Sequence, residues 1–355
     1  MHDGPAFYYI HPFFFISMRY SVCCLLIFFC LPMFLAAQQP HAYSVARDVV
    51  WASPDGHDLT MDIYTPETGQ DTHPVLVIFH GGGWLINTKA IMNEMAQYMA
   101  SHGGYVVCNV NYRLLVDAGN TIAMDQIVED ALGAVLWVKE HIHTYRGDRR
   151  RVALTGDSAG GHLASMVVVA GDRLRSGGGD AGPGGFHPTY LPAGMTPEAV
   201  VAAGGLEVQA AVISYGAFDL YVSCLGDFET ASNFFWQMGG GEARSIFGGE
   251  IRATTHAAHY QAVSPLYLIP SAQTRVLPPQ LFTVGSKDDL TTPASVQDYM
   301  NKVREAGHPV RYWEYEGRPH AFLDSGSNAF LGTSFEKDAP AALDVMIAFL
   351  DEVLR

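Results

Sequence analysis

Basic residues are scarce in this chain: 21 Lys and Arg stand against 36 Asp and Glu, for a formal net charge of -15. Such a surface repels phosphate, which argues against nucleic acid and anionic membrane as partners. Charge of either sign is sparse, at 16% of 355 residues, while hydrophobic side chains make up 48%. That balance gives little sign of disorder and supplies a large core. Cysteine is rarer still, with five in all, three of which (Cys23, Cys24, Cys30) share one apolar run near the N-terminus. Cys108 and Cys224 lack metal-ligand spacing. Cys108 sits in an apolar strand pattern and reads as a buried free thiol, with a Cys108–Cys224 disulfide left open for an oxidising compartment. Internal repeats are absent, which excludes solenoid and propeller architectures.

Long hydrophobic runs are also few. The longest, Ser21–Leu35, is interrupted by Pro32 and is shorter than the roughly 20 residues of a membrane span. Met18-Arg19-Tyr20 precedes it and Ala36-Ala37-Gln38 follows. A short basic region, an apolar stretch and small residues at the cut form a secretory signal pattern. The expectation is a leader over 1–37 cleaved after Ala37, with 1–17 an upstream extension if Met18 is the true start. The mature protein would be secreted or periplasmic, with no stable membrane association. One catalytic domain would fill 38–355, and the sequence leaves its oligomeric state unknown.

Strand and helix patterns alternate through that domain. Val49–Ser53 and Leu59–Thr65 enclose Pro54-Asp55-Gly56 and read as a hairpin. Val75–Phe79 and Tyr105–Asn111 are continuous apolar runs, as strands buried on both faces are. Shorter strand patterns follow at Arg151–Leu154, Ala210–Ser214, Gln280–Val284 and Val310–Tyr315. Helical spacing is predicted over Ala90–Ser101, from Asp125 to about Tyr145, over Leu163–Ala170 and over Pro340–Leu354. This succession predicts an α/β fold, a mostly parallel central sheet with helices on both faces. Two segments break the rhythm. Residues 172–205 are rich in Gly and Pro and read as an insertion or mobile loop, and aromatic residues 217–270 read as a small partial cap.

The chemistry concentrates in two glycine-rich motifs. Gly156-Asp157-Ser158-Ala159-Gly160 lies between a strand and a helix pattern. Flanking glycines in that setting mark a strained turn that exposes a nucleophilic serine, here Ser158. His80-Gly81-Gly82-Gly83-Trp84 directly follows a strand, and its glycines let backbone N–H groups approach a substrate oxygen. Gly82, Gly83 and the N–H of Ala159 are the oxyanion-hole candidates, with His80 orienting the loop. A serine needs a base and an orienter for that base. Chain order selects His320 among 15 histidines and an aspartate in Gly285-Ser286-Lys287-Asp288-Asp289. Asp288 fits better than its neighbour, though composition alone does not separate them. His162 reads as structural, and His256 with His259 lack the further ligands a metal would need. No metal or cofactor is called for. Trp84, Phe218, Phe234, Phe235 and Trp236 are candidates for an aryl-tolerant pocket or for cap core, with Trp84 and Phe218 taken as the substrate-binding pair.

These motifs, with Asn111-Tyr112-Arg113-Leu114, Asp130, Ser264-Pro265 and His320-Ala321-Phe322, resemble the α/β-hydrolase superfamily. The nearest match is its esterase/lipase group related to hormone-sensitive lipase and to secreted carbohydrate esterases, over about 45–355. The resemblance implies a Ser158–Asp288–His320 triad and a serine carboxylic-ester hydrolase, a carboxylesterase. Its substrates would be short-chain or aryl esters, free or linked to polysaccharide, acetyl and feruloyl groups of plant polysaccharide included. An amide hydrolase (arylformamidase or peptidase) would use the same triad, and a non-catalytic binding protein on this fold typically lacks a member of it.

Overall fold

Runs of apolar residues with no polar alternation are what a strand covered on both sides requires, and these runs form the middle of one eight-stranded sheet. The computed structural model describes residues 40–178, 182–204 and 206–355. The leader expected over 1–37 lies outside them. Among the described residues no helix is long and apolar enough to cross a membrane. The strands are β1 (Tyr43–Ala52), β2 (Leu59–Pro66), β3 (His73–Phe79), β4 (Val106–Val110), β5 (Gly147–Asp157), β6 (Ala210–Ser214), β7 (Gln280–Gly285) and β8 (Val310–Tyr315). Their spatial order is β1-β2-β4-β3-β5-β6-β7-β8. The pairs β1/β2 and β2/β4 are antiparallel and the rest of the sheet is parallel. Every residue of β3, β4, β6 and β7 is buried.

Crossover handedness assigns the helices to faces. The step from β3 to β4 runs one way along the sheet, while the steps from β4 to β5, β5 to β6 and β7 to β8 run the other way. Right-handed crossovers therefore place helix Asn93–Ser101 on one face and Met124–His141, Ala159–Ala170 and Pro293–Glu305 on the opposite face. The closing helix Phe335–Leu354 joins Asn93–Ser101. It starts ahead of the expected Pro340, because the Asp338 carboxylate accepts the Ser334 N–H at 2.7 Å and fixes an earlier first turn. Strand β5 also starts earlier than its apolar signal, since exposed arginines at 149 and 150 mask a segment whose Gly147 pairs with His73.

The described parts of segment 172–205, read from the sequence as an insertion or mobile loop, are tied to the domain at several points. Leu174 and Phe186 form an isolated bridge and are both buried. The His187 N–H donates to the Glu129 carboxylate at 2.7 Å, and Thr189 Oγ1 donates to Asp130. Asp130 is itself in a buried ion pair with Arg113 (Nε to Oδ2 2.8 Å). The partial cap contains helices Leu220–Leu225, Phe234–Gly239 and Ala257–Ala262. Trp236 is its buried centre and donates Nε1–H to the Phe228 carbonyl at 2.7 Å, while the Arg244 guanidinium donates to the carbonyls of Leu115, Asn120, Ile122 and Ser245. Cys108 and Cys224 are both buried and both free.

One edge of the sheet is irregular. The β1/β2 ladder shifts register between Ala46 and Val49, where Asp48 takes φ 51°. Lys89 Nζ reaches both Asp48 (2.6 Å) and Asp62 (2.8 Å) there, and Arg47 pairs with Asp62 at 3.1 Å.

Candidate active site

Parallel register brings the carboxyl ends of β5, β6, β7 and β8 to one rim of the sheet, and the polar residues of the two motifs meet there. Ser158 follows β5 directly, in a backbone conformation (φ 51°, ψ -117°) unfavourable for a residue with a side chain. The turn is held from both sides. The Ser158 N–H donates to the Ser214 carbonyl at the end of β6 (3.0 Å), and the Ser158 carbonyl accepts the His162 N–H (3.0 Å). A Cβ at Gly160 would run into the Phe79 carbonyl, and one at Gly156 into the Gly160 carbonyl. The glycines are therefore demanded by contact between backbones.

The loop after β3 depends on glycine in a second way. Gly82 and Gly83 have φ 119° and 59°, and the ring of Phe235 covers Gly83 so closely that a Cβ there would lie 2.6 Å from it. The Gly81 N–H donates to Asp157 Oδ1 at 2.8 Å, which ties this loop to the residue before the serine. His80 bonds through Nδ1–H to the Gly81 carbonyl (2.8 Å) and stacks on Tyr112, whose hydroxyl donates to the His80 carbonyl (2.6 Å). Burial lowers the His80 pKa to about 4, so the ring is neutral. Burial raises Asp157 to about 6, against the opposing pull of His320 and of the Gly81 N–H. Ala159 opens the helix after the serine, where first-turn N–H groups have no helical acceptor.

Asp288 and His320 come from the loops after β7 and β8, and Nδ1 of the imidazole meets Asp288 Oδ2 at 2.7 Å. The other carboxylate oxygen accepts the N–H groups of Leu290 (3.0 Å) and Thr291 (2.9 Å). Asp289, the alternative in the sequence, faces solvent. The Tyr215 ring lies edge-on to the imidazole with centroids 4.7 Å apart. With Nδ1 committed to the carboxylate, Nε2 is the nitrogen free to act as a base.

The two aromatic residues taken as substrate-binding are both nearly buried, and Phe218 borders a cavity with Gly216, Asp219 and Thr291. Trp84 is 5% exposed, donates Nε1–H to His162 Nδ1 at 3.2 Å and packs edge-on against His162 and Phe228. Phe218 is also 5% exposed and stacks on Tyr299 at 4.1 Å. Aromaticity near a motif does not say how much of a ring is exposed, and here both rings are largely covered. Phe235 covers the glycine loop after β3, with Phe234 edge-on to it and Phe330 stacked 6.4 Å from Phe234. His162 is structural as expected: its second nitrogen donates to the Val263 carbonyl at 2.7 Å and burial lowers its pKa to about 4. Sequence reasoning also passed over Asp157, Tyr215 and Thr291. Asp157 lay inside the serine motif, whereas no spacing pattern singles out the other two. Among the described residues no cluster of His, Cys, Asp or Glu could hold a metal ion.

Sheet order, the turn around Ser158 and the acid–imidazole pair at the strand ends together define an α/β-hydrolase. The apo form of Thermogutta terrifontis esterase 2 has this fold too, with a TM-score of 0.61 at 21% identity, over 88% of this chain and 94% of that one. The chain belongs to the BD-FAE family, whose model matches residues 61–303. Among curated proteins it is 25% identical over 309 residues to a rice (Oryza sativa subsp. japonica) protein named a probable isoprenylcysteine alpha-carbonyl methylesterase, covering 85% of this chain and 63% of the relative. It is 39% identical over 129 residues to a Rhodococcus erythropolis protein named a probable N-octanoylanthranilate hydrolase, covering 33% and 27%. The chain thus spans less than two thirds of the length of these curated relatives.

Proposed function

We propose that this protein hydrolyses carboxylic esters through an acyl-enzyme on Ser158. The observation that carries the reading is the buried Asp288–His320 contact at 2.7 Å on the same sheet rim as the strained Ser158 turn. His320 Nε2 takes the serine proton as Oγ attacks the ester carbonyl, and then gives it to the leaving alcohol. Asp288 holds the ring and stabilises the imidazolium. The N–H groups of Gly82, Gly83 and Ala159 receive the oxyanion, and water activated by His320 releases the acid. A relative from Mycobacterium tuberculosis is named esterase LipQ, and other structures of the Thermogutta esterase are titled as propionate-bound and as phosphorylated by paraoxon. These names favour ester over amide chemistry.

The substrates we assign are short-chain or aryl esters, acetyl or feruloyl groups on plant polysaccharide among them. Phe235 over Gly83 and the exposed rings of Phe234 and Phe330 support an aryl-tolerant mouth. The leader pattern over 18–37 supports export. Turnover of p-nitrophenyl acetate, butyrate and decanoate and of methyl ferulate, each with Ser158→Ala alongside, tests the reading. We expect acetate or ferulate to be hydrolysed best and Ser158→Ala to abolish turnover. Absence of serine-dependent turnover on all four, with cleavage of matched amides, would replace the ester reading by an amidase.

A further inference from the structure

A buried tyrosine, Tyr215, and a half-buried threonine, Thr291, converge on the imidazole of His320. Thr291 Oγ1 lies 2.9 Å from the Tyr215 carbonyl, 3.1 Å from Asp288 Oδ2 and 3.3 Å from His320 Nδ1. A hydroxyl has one proton to give and two lone pairs to offer. Asp288 Oδ2 already takes the imidazole N–H at 2.7 Å, and Oδ1 already takes two backbone N–H groups. The shortest contact, to the Tyr215 carbonyl, therefore receives the threonine proton. This turns the lone pairs of Oγ1 toward His320 Nδ1, so that its N–H is shared between carboxylate and hydroxyl.

Tyr215 is built for this at some cost. Its φ of 38° is rare for a residue with a large side chain. The surroundings hold it there: its N–H donates to the Thr283 carbonyl (2.6 Å), and its hydroxyl accepts the Leu323 N–H (3.3 Å). Its ring packs edge-on against His320 and Phe322 at 4.7 and 4.8 Å. The strained backbone thus presents a carbonyl to Thr291 and a ring to the imidazole at once. It joins the loop after β7 to the loop after β8 through the end of β6. The charged groups facing the imidazole are Asp288, in contact, and Asp157, across the turn.

We propose that Thr291 and Tyr215 are positioning residues that lock His320 in the Nδ1–H tautomer, leaving Nε2 bare toward Ser158. With Nδ1 deprotonated, its lone pair would face the Asp288 carboxylate and the oxygen of Thr291 together. The kinetic arm of the test rests on the esterase reading, and the spectroscopic arm does not.

The experiment compares wild type with Thr291→Val, Thr291→Ala and Thr291→Ser, each checked for folding by thermal denaturation. Proton NMR of the uninhibited protein would show the downfield His320 Nδ1–H resonance, assigned by its loss in His320→Gln. Wild type and Ser are expected to show it, while Val and Ala lose it or move it upfield. With p-nitrophenyl acetate, Val and Ala are expected to lower kcat about tenfold, the value of one hydrogen bond to a charged group. KM should stay within about twofold and the acid limb should move to lower pH, with Ser restoring all three. An unchanged resonance and kcat in Val and Ala would overturn the proposal. So would a Ser variant as impaired as Val, which would make the methyl group the important part. Resonances that behave as expected in a protein inactive on every ester would leave the relay standing and reject the esterase reading.

Discussion

At the scale of single residues, the site is a set of places where a Cβ does not fit. Gly83 combines φ 59° with the ring of Phe235 directly above it. If Gly83 donates to the oxyanion as proposed, Gly83→Ala is expected to displace that N–H and lower kcat by roughly 10²-fold, the usual loss for one such donor. The double variant with Phe235→Ala separates the causes: partial recovery of kcat assigns the loss to the ring, and no recovery assigns it to the backbone. These glycines were legible in the sequence because a backbone requirement admits one residue type. Ser158, Asp288 and His320 were legible as candidates through motif and chain order, and the structure separates Asp288 from Asp289 by the contact of Asp288 with His320 and the exposure of Asp289. Tyr215 and Thr291 were not legible, because their roles depend on one carbonyl direction and one hydroxyl rotor, and many residue types could occupy such positions. Trp84 and Phe218 show the same limit, since ring orientation is decided by three-dimensional packing.

Among elements, the apolar runs set strands β3, β4, β6 and β7 to within two residues, because burial on both faces leaves no alternation to misread. Boundaries failed where a polar interaction set them, as at the Asp338 contact that starts the closing helix early. The ties at Leu174 and at Phe186–Thr189 were hidden for a related reason: backbone N–H groups bond Glu129, Thr189 bonds Asp130, and no sequence period marks the burial of Leu174 and Phe186. Trp84 and His162 join three elements, since the indole donates to the imidazole and the imidazole to Val263 at the return from the cap. Trp84→Phe leaves His162 Nδ1 buried without a donor, which is expected to destabilise by about 1–3 kcal/mol. Urea unfolding checks this, and an unchanged midpoint would remove the pair from any account of how the cap is held.

Over the whole molecule, buried ionisable groups give a defined pH response. His80 and His162 are held neutral, with pKa about 4 in the fold against about 6.5 when exposed. Below 6.5 the unfolded chain binds protons that the folded chain does not, so stability falls as pH drops from 6.5 toward 4. Fully buried imidazoles with this shift are worth about 3 kcal/mol each. Asp157, raised to about 6, works the other way: its protonated form suits the fold, so its contribution is greatest below 3.8 and is lost as pH rises toward 6. Burial also raises the carboxyls of Glu129 and Asp324, which act in the same sense as Asp157, so the readout is a difference: from pH 6.5 to 4 the melting temperature of Asp157→Asn is expected to change more unfavourably than that of wild type. Parallel profiles for the two proteins would show that Asp157 is not protonated in the fold over that range. A last consequence belongs to the irregular edge at Arg47 and Asp48, where the ladder shifts and Lys89 gathers two carboxylates. A straight outer strand is a template on which a second chain can zip, and a kinked, charged one is not. Deleting residues 47 and 48 should straighten that rim, and light scattering of a concentrated stock would then rise over days while the parent solution stays clear.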